Sequence, residues 1–63
     1  MDFLEAVKEL RGGAKIAHPR FEKGTYLYGR NDCVIIKYPK VEIDFVYRAS
    51  VSEILDDNWF IWH

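Results

Sequence analysis

The sequence predicts an α+β fold: an N-terminal helix packed on a small, mainly antiparallel sheet of four to five strands, with a short helical turn before the last strand. Three observations predict it. Apolar residues recur at helical spacing near the N-terminus, β-prone segments bounded by turn residues fill the middle, and a capped turn precedes an aromatic run at the C-terminus. The 63 residues leave room for one domain, 1–63. A chain this short buries only about 60% of its unfolded surface, so its core needs a supplement such as disulfides, a metal or self-association.

The first helix runs from Asp2 to Leu10, where Phe3, Ala6, Val7 and Leu10 follow the i, i+3, i+4, i+7 pattern of one buried stripe. Asp2 and Glu5 form a cap-like pair at the positive end of the helix dipole, and Gly12-Gly13 supplies the left-handed stop. Ala14 to His18 alternates small or apolar with polar residues until Pro19 closes the strand. Thr25–Tyr28 and Cys33–Tyr38 flank Gly29-Arg30-Asn31-Asp32, a set of residues suited to a hairpin turn. After a turn at Pro39-Lys40, the alternation of Val41, Ile43, Phe45 and Tyr47 with Glu42, Asp44 and Arg48 predicts a half-buried strand over 41–48. Ser50 and Glu53 then form a capping box, and Asp56-Asp57-Asn58 ends the short helix before the strand Trp59–Trp62. Trp59 is expected beneath the first helix, with Phe60 and Trp62 on the opposite face as candidate interface residues.

Composition narrows function. Nine basic and ten acidic residues give a formal net charge of −1, which offers no electrostatic footprint for nucleic acid. No apolar run is long enough to cross a bilayer, and Asp2 and Glu5 stand where a signal peptide would be basic, so a cytoplasmic protein without membrane partners is expected. Cys33 is alone, which excludes an internal disulfide, and His18 and His63 have no ligand spacing, so no metal or other cofactor is expected. The remaining supplement to the core is self-association, in keeping with an aromatic content of 16%. No nucleophile, base or metal set suggests catalysis: Ser50 and Ser52 are explained by capping, and Gly12-Gly13 lacks the spacing of a phosphate loop.

The helix, the glycine stop, Lys15-Ile16-Ala17, His18, Phe21 and Tyr26-Leu27-Tyr28, followed at the other end by Ser50-Val51-Ser52-Glu53-Ile54-Leu55-Asp56-Asp57-Asn58-Trp59, together resemble the Thoeris anti-defence 2 family of small phage and prophage proteins. The resemblance covers about half of the chain. Its members usually carry Arg and Trp where this chain has His18 and Phe21, and the central insert of many members is reduced here to the span from Gly29 to Arg48, so a pocket built from that insert is expected to be absent. The resemblance implies a homo-oligomer, a dimer or tetramer, that sequesters a cyclic nucleotide-type immune signal in the host cytoplasm without cleaving it. An anionic nucleotide needs basic donors and flat stacking partners. Lys15, His18, Arg20, Phe21, Tyr26, Tyr28 and Arg48 are the candidate ligand residues, with His18 and Arg20 foremost. Phe21 and Tyr26 also suit core or interface packing, and Arg30 a solvated position. The alternative is a small phage inhibitor that binds a host or defence protein through an aromatic surface or a strand edge.

Overall fold

A computed structural model describes all residues from Met1 to His63. Seven elements follow in order: α1 (Phe3–Arg11), β1 (Ile16–Ala17), β2 (Tyr26–Arg30), β3 (Cys33–Lys37), β4 (Phe45–Val46), α2 (Val51–Leu55) and β5 (Phe60–Ile61). The strands form one antiparallel sheet in the order β4-β3-β2-β1-β5, with both helices on one face. This is the α+β arrangement the sequence predicts. No helix is long and apolar enough to cross a membrane.

Local chemistry sets the ends of α1. The Asp2 carboxylate accepts from the Glu5 N–H at 2.8 Å while Glu5 Oε1 accepts from the Asp2 N–H at 3.1 Å, a complete capping box. At the other end Gly13 N–H donates to the Leu10 carbonyl and Ala14 N–H to the Glu9 carbonyl, each at 3.0 Å, a Schellman closure that places Gly13 at φ 96°. The hairpin between β2 and β3 is tighter than the sequence suggests. Gly29 and Arg30 pair with Val34 and Cys33, and only Asn31 and Asp32 turn, at φ 52° and 63°. Two consecutive left-handed residues make a type I′ turn, whose twist matches that of the flanking strands.

The core lies between α1 and the row Ile16–Leu27–Ile36, residues that face one another across β1, β2 and β3. Ala6 and Leu10 close it from the helix and Trp59 from the C-terminal segment. Trp59 is 2% exposed, beneath α1 as the sequence predicts, with Phe3, His18, Phe21 and Tyr47 around it at centroid distances of 4.9 to 6.3 Å. Its indole N–H donates to the Glu53 carbonyl at 3.0 Å, which explains why a capped turn precedes it: α2 supplies the acceptor that lets an indole be buried. Met1 anchors the same segment, its carbonyl accepting from the Trp59 N–H at 3.2 Å and its amine donating to the Trp59 carbonyl at 3.0 Å.

The strand expected over 41–48 shortens to Phe45–Val46. Lys40 adopts φ 64°, which breaks the extended run, while Asp44 faces the outer side of the sheet and meets Tyr28 and Lys37 there. β4 is also an edge strand, so nothing beyond it buries its apolar side chains: Phe45 is 48% and Val46 60% exposed. The expected strands at the two ends contract for a related reason. β1 keeps only Ile16 and Ala17 of the span Ala14–His18, and β5 only Phe60 and Ile61 of Trp59–Trp62, because His18 and Trp59 leave the sheet to enter the core.

Candidate functional site

The candidate ligand residues separate into three places. Tyr26 and Tyr28 do not stand beside Arg20 and Phe21, since strand alternation puts the tyrosines on the face away from the helices and the 18–24 loop turns Phe21 toward Trp59.

His18, the foremost candidate, is inside the protein at 4% exposure. Its ring meets Trp59 edge-on at 4.9 Å, Nδ1 accepts from the Arg20 N–H at 3.2 Å, and Nε2 lies 3.1 Å from Asp56 Oδ2, close but off the line of a good hydrogen bond. With Nδ1 accepting, the neutral ring carries its hydrogen on Nε2, facing the carboxylate. Asp56 is itself held below the usual carboxylate range, first by the Asn58 N–H and then by His18. His18 thus ties the loop after β1 to the turn after α2 and is not presented to a ligand.

Arg20, Phe21 and Arg48 come together at a hollow of about 510 Å³ on the helix side of the sheet, where α1 no longer covers β3 and β4. Thr25 and Tyr38 form its floor with Ile36, β4 contributes Phe45 and Val46, and Tyr47 and Glu53 close one end. The reduced central span therefore still lines a hollow. Neither Arg20 nor Arg48 makes an ion pair. Of the two buried hydroxyls here, Tyr47 Oη faces the Glu53 carboxylate, and Thr25 Oγ1 lacks a hydrogen-bond partner. That is a costly arrangement, since a buried hydroxyl left without a partner loses about 1–3 kcal/mol of solvation. Burial raises the Tyr47 phenol well above its ordinary value, with the neighbouring Glu53 carboxylate adding to the shift. Glu53 in turn is held below the usual carboxylate range, chiefly by the Ser50 backbone N–H, which donates to it at 2.8 Å.

Chemically, the hollow offers planar guanidinium forks for phosphate or carboxylate oxygens, ring walls for a flat heterocycle, and the Thr25 hydroxyl free to bond. Glu22 and Glu53 also line it. They oppose a bare anion, yet carboxylates at this position suit the hydroxyls of a ribose. Thr25 and Glu53 are residues that sequence reasoning assigned only to strand and cap. The signal for Thr25 was present: it lies two residues before Leu27, in phase with the buried face, so a polar side chain was due inside.

Lys15, Tyr26 and Tyr28 share the opposite face of the sheet with Trp62. Here the Tyr28 hydroxyl donates to Asp44, which holds that carboxyl below its usual range and raises the phenol. Of the expected interface pair, Phe60 is exposed at the β5 edge, whereas Trp62 is half-buried against Tyr26. Nowhere do three or more His, Cys, Asp or Glu side chains gather in a way that would hold a metal ion. Comparison of the chain with family models, with curated proteins and with solved structures gave no match in any of the three.

Proposed function

We propose that this chain is a non-catalytic counter-defence protein, phage-encoded, that sequesters a cyclic nucleotide-type signal in the hollow between the 18–24 loop and β4. The observation that carries the reading is the pairing of two guanidiniums free of carboxylate partners with the buried, unpartnered Thr25 hydroxyl, all on one ring-lined hollow. Arg20 and Arg48 hold the phosphates, Phe21 and Tyr47 flank the base, and Thr25, Glu22 and Glu53 meet sugar hydroxyls. The resemblance of the two chain ends to the Thoeris anti-defence 2 family supports the same ligand class. In this reading the protein works as a homo-oligomer. β4 is an open edge with Phe45 and Val46 exposed, and a second copy pairing there walls the side of the hollow that one copy leaves open.

The test is a thermal-shift panel of cyclic nucleotides and cyclic ADP-ribose derivatives, with light scattering on the same samples. Ligand at a hundred times its Kd raises stability by about 2.7 kcal/mol. A shift of that order, abolished by Arg20→Ala or Arg48→Ala, and release of the intact ligand on heating are expected. No shift at millimolar concentration defeats the proposal.

A second reading has its own support. Val51 and Leu55, one turn apart on α2, are 73% and 78% exposed, an apolar stripe suited to a protein target. An inhibitor of a host or defence protein would lose its partner on Val51→Glu or Leu55→Glu while the nucleotide shift, if any, stayed unchanged.

A further inference from the structure

The sheet face turned away from both helices carries rings and cations that the hollow does not use. Tyr26 and Tyr28 stand two residues apart on β2, the central strand, with ring centroids 6.3 Å apart. Trp62 continues the row, its ring 4.5 Å from Tyr26 with 35° between the planes. The Lys15 ammonium sits 4.8 Å from the Tyr26 centroid and 5.5 Å from that of Trp62, the Arg30 guanidinium lies 5.9 Å from the Tyr28 centroid, and Lys37 stands directly across from Tyr26 on β3. A second hollow, of about 390 Å³, opens among Lys15, Tyr26, Tyr28 and Lys37 where β1 stops short.

We infer that this face is a platform for single-stranded nucleic acid, on which Tyr26, Tyr28 and Trp62 stack bases while Lys15, Arg30 and Lys37 meet phosphates. An antiparallel sheet whose central strand presents aromatic side chains at alternate positions can carry two or three unstacked bases, because every base has a flat face and the pleat spaces the rings. A duplex does not suit it, since its bases are already stacked and its strong binding draws on many more phosphate contacts than three cations supply. The overall charge of −1 conceals this face. Asp2, Glu5 and Glu9 belong to α1 and its cap, and Glu53, Asp56 and Asp57 to α2 and the turn after it, both on the other side of the sheet. Asp44 lies within the row, shared by the Tyr28 hydroxyl, Lys37 at 3.5 Å and Arg30 at 3.7 Å, and Glu42 lines an adjoining hollow with Tyr26, Lys37 and Lys40, so cations still outnumber carboxylates along the row. The ring spacing and the charge together favour a polyanion that also stacks. The inference does not depend on the nucleotide hollow, which lies on the opposite face.

The experiment is fluorescence anisotropy of a labelled ten-nucleotide oligodeoxythymidine titrated with the full chain at several salt concentrations, beside a duplex of equal length. Saturable binding to the single strand is expected, with the logarithm of the affinity falling against the logarithm of salt with a slope of about −2, from three phosphate contacts at about −0.7 each. Tyr26→Ala weakens it about fivefold or more, the loss of one stacked base. Lys15→Gln, a change at an exposed position that leaves the packing between Tyr26 and Trp62 in place, makes the slope shallower by about 0.7. Absence of saturable binding at low salt overturns the inference. So do equal affinity for duplex and single strand, or unchanged affinity in a folded Tyr26→Ala variant. A dimer formed across this face that oligonucleotide fails to dissociate overturns it as well, because the face then belongs to a second copy.

Discussion

Trp59→Phe separates the two contributions of the indole to this fold. The change removes the donor to the Glu53 carbonyl, a bond of 3.0 Å, and leaves that oxygen with only the Asp56 N–H at 3.3 Å, a loss of about 1 kcal/mol. It also opens a void of about 40 Å³ among Phe3, His18, Phe21 and Tyr47, which at the rate observed for buried deletions costs roughly 1 kcal/mol beyond the lost transfer energy of the missing atoms. The sum is about 2–3 kcal/mol. For a domain of this size that lowers the melting temperature by about 10–20 °C, since each kcal/mol moves it by about 4–8 °C. Urea and thermal unfolding followed by far-UV circular dichroism read the change directly. Trp62→Phe, on the outer face where the ring is half-buried, serves as the comparison and loses under about 1 kcal/mol. A loss below about 0.5 kcal/mol for Trp59→Phe, or a larger loss for Trp62→Phe, would refute the assignment of Trp59 as the centre of the core.

Three further outcomes follow from local geometry. Ser50→Ala removes the oxygen that accepts from the Glu53 N–H at 3.2 Å and should cost about 1 kcal/mol by urea unfolding, the value of a helix N-cap. Asp32→Gly relieves a left-handed residue at φ 63° and completes an Asn-Gly type I′ turn, so it should stabilise the hairpin by up to about 1 kcal/mol on the same assay, the relief of strain exceeding the added freedom of the unfolded chain. Asp44, Glu53 and Asp56 all have folded pKa values below their ordinary ones, so their contribution is complete above an unfolded value near about 4 and is lost as pH falls through the depressed folded values. Stability measured from pH 7 downward should therefore hold until about pH 4 and then decline, with a shallower decline in Asp56→Asn, which keeps an acceptor for Asn58 but no longer titrates.

What the sequence reveals here is what neighbours along the chain determine. The caps of α1 and α2, the Gly13 stop and the hairpin depend on residues within a few positions of each other, and their side chains state the outcome. The in-phase apolar rows of β2 and β3 likewise show which residues face α1. Alternation over 41–48 overstates β4, because it records only that a segment is fit to be half buried. Whether a neighbour exists to bury it depends on its place at the sheet edge. His18 illustrates the same limit. Beside Pro19 and Arg20 it reads as a ligand candidate, and only the arrival of Trp59 and Asp56 from the far end of the chain makes its position internal. The division of the candidate ligand residues between two faces follows from strand parity at Tyr26 and Tyr28, which the sequence shows, and from the inward turn of the 18–24 loop, which it does not.

Amide chemical-shift mapping tests residue by residue whether ligand binds in the hollow. Titrating isotope-labelled protein with the nucleotide that gives the largest thermal shift should perturb Arg20, Phe21, Thr25, Tyr47 and Arg48 together, saturating with one binding constant, and leave Lys8 and Glu9 on the outer side of α1 unmoved. Perturbations confined to Lys15, Tyr26, Tyr28 and Trp62, or scattered without saturation, would contradict it.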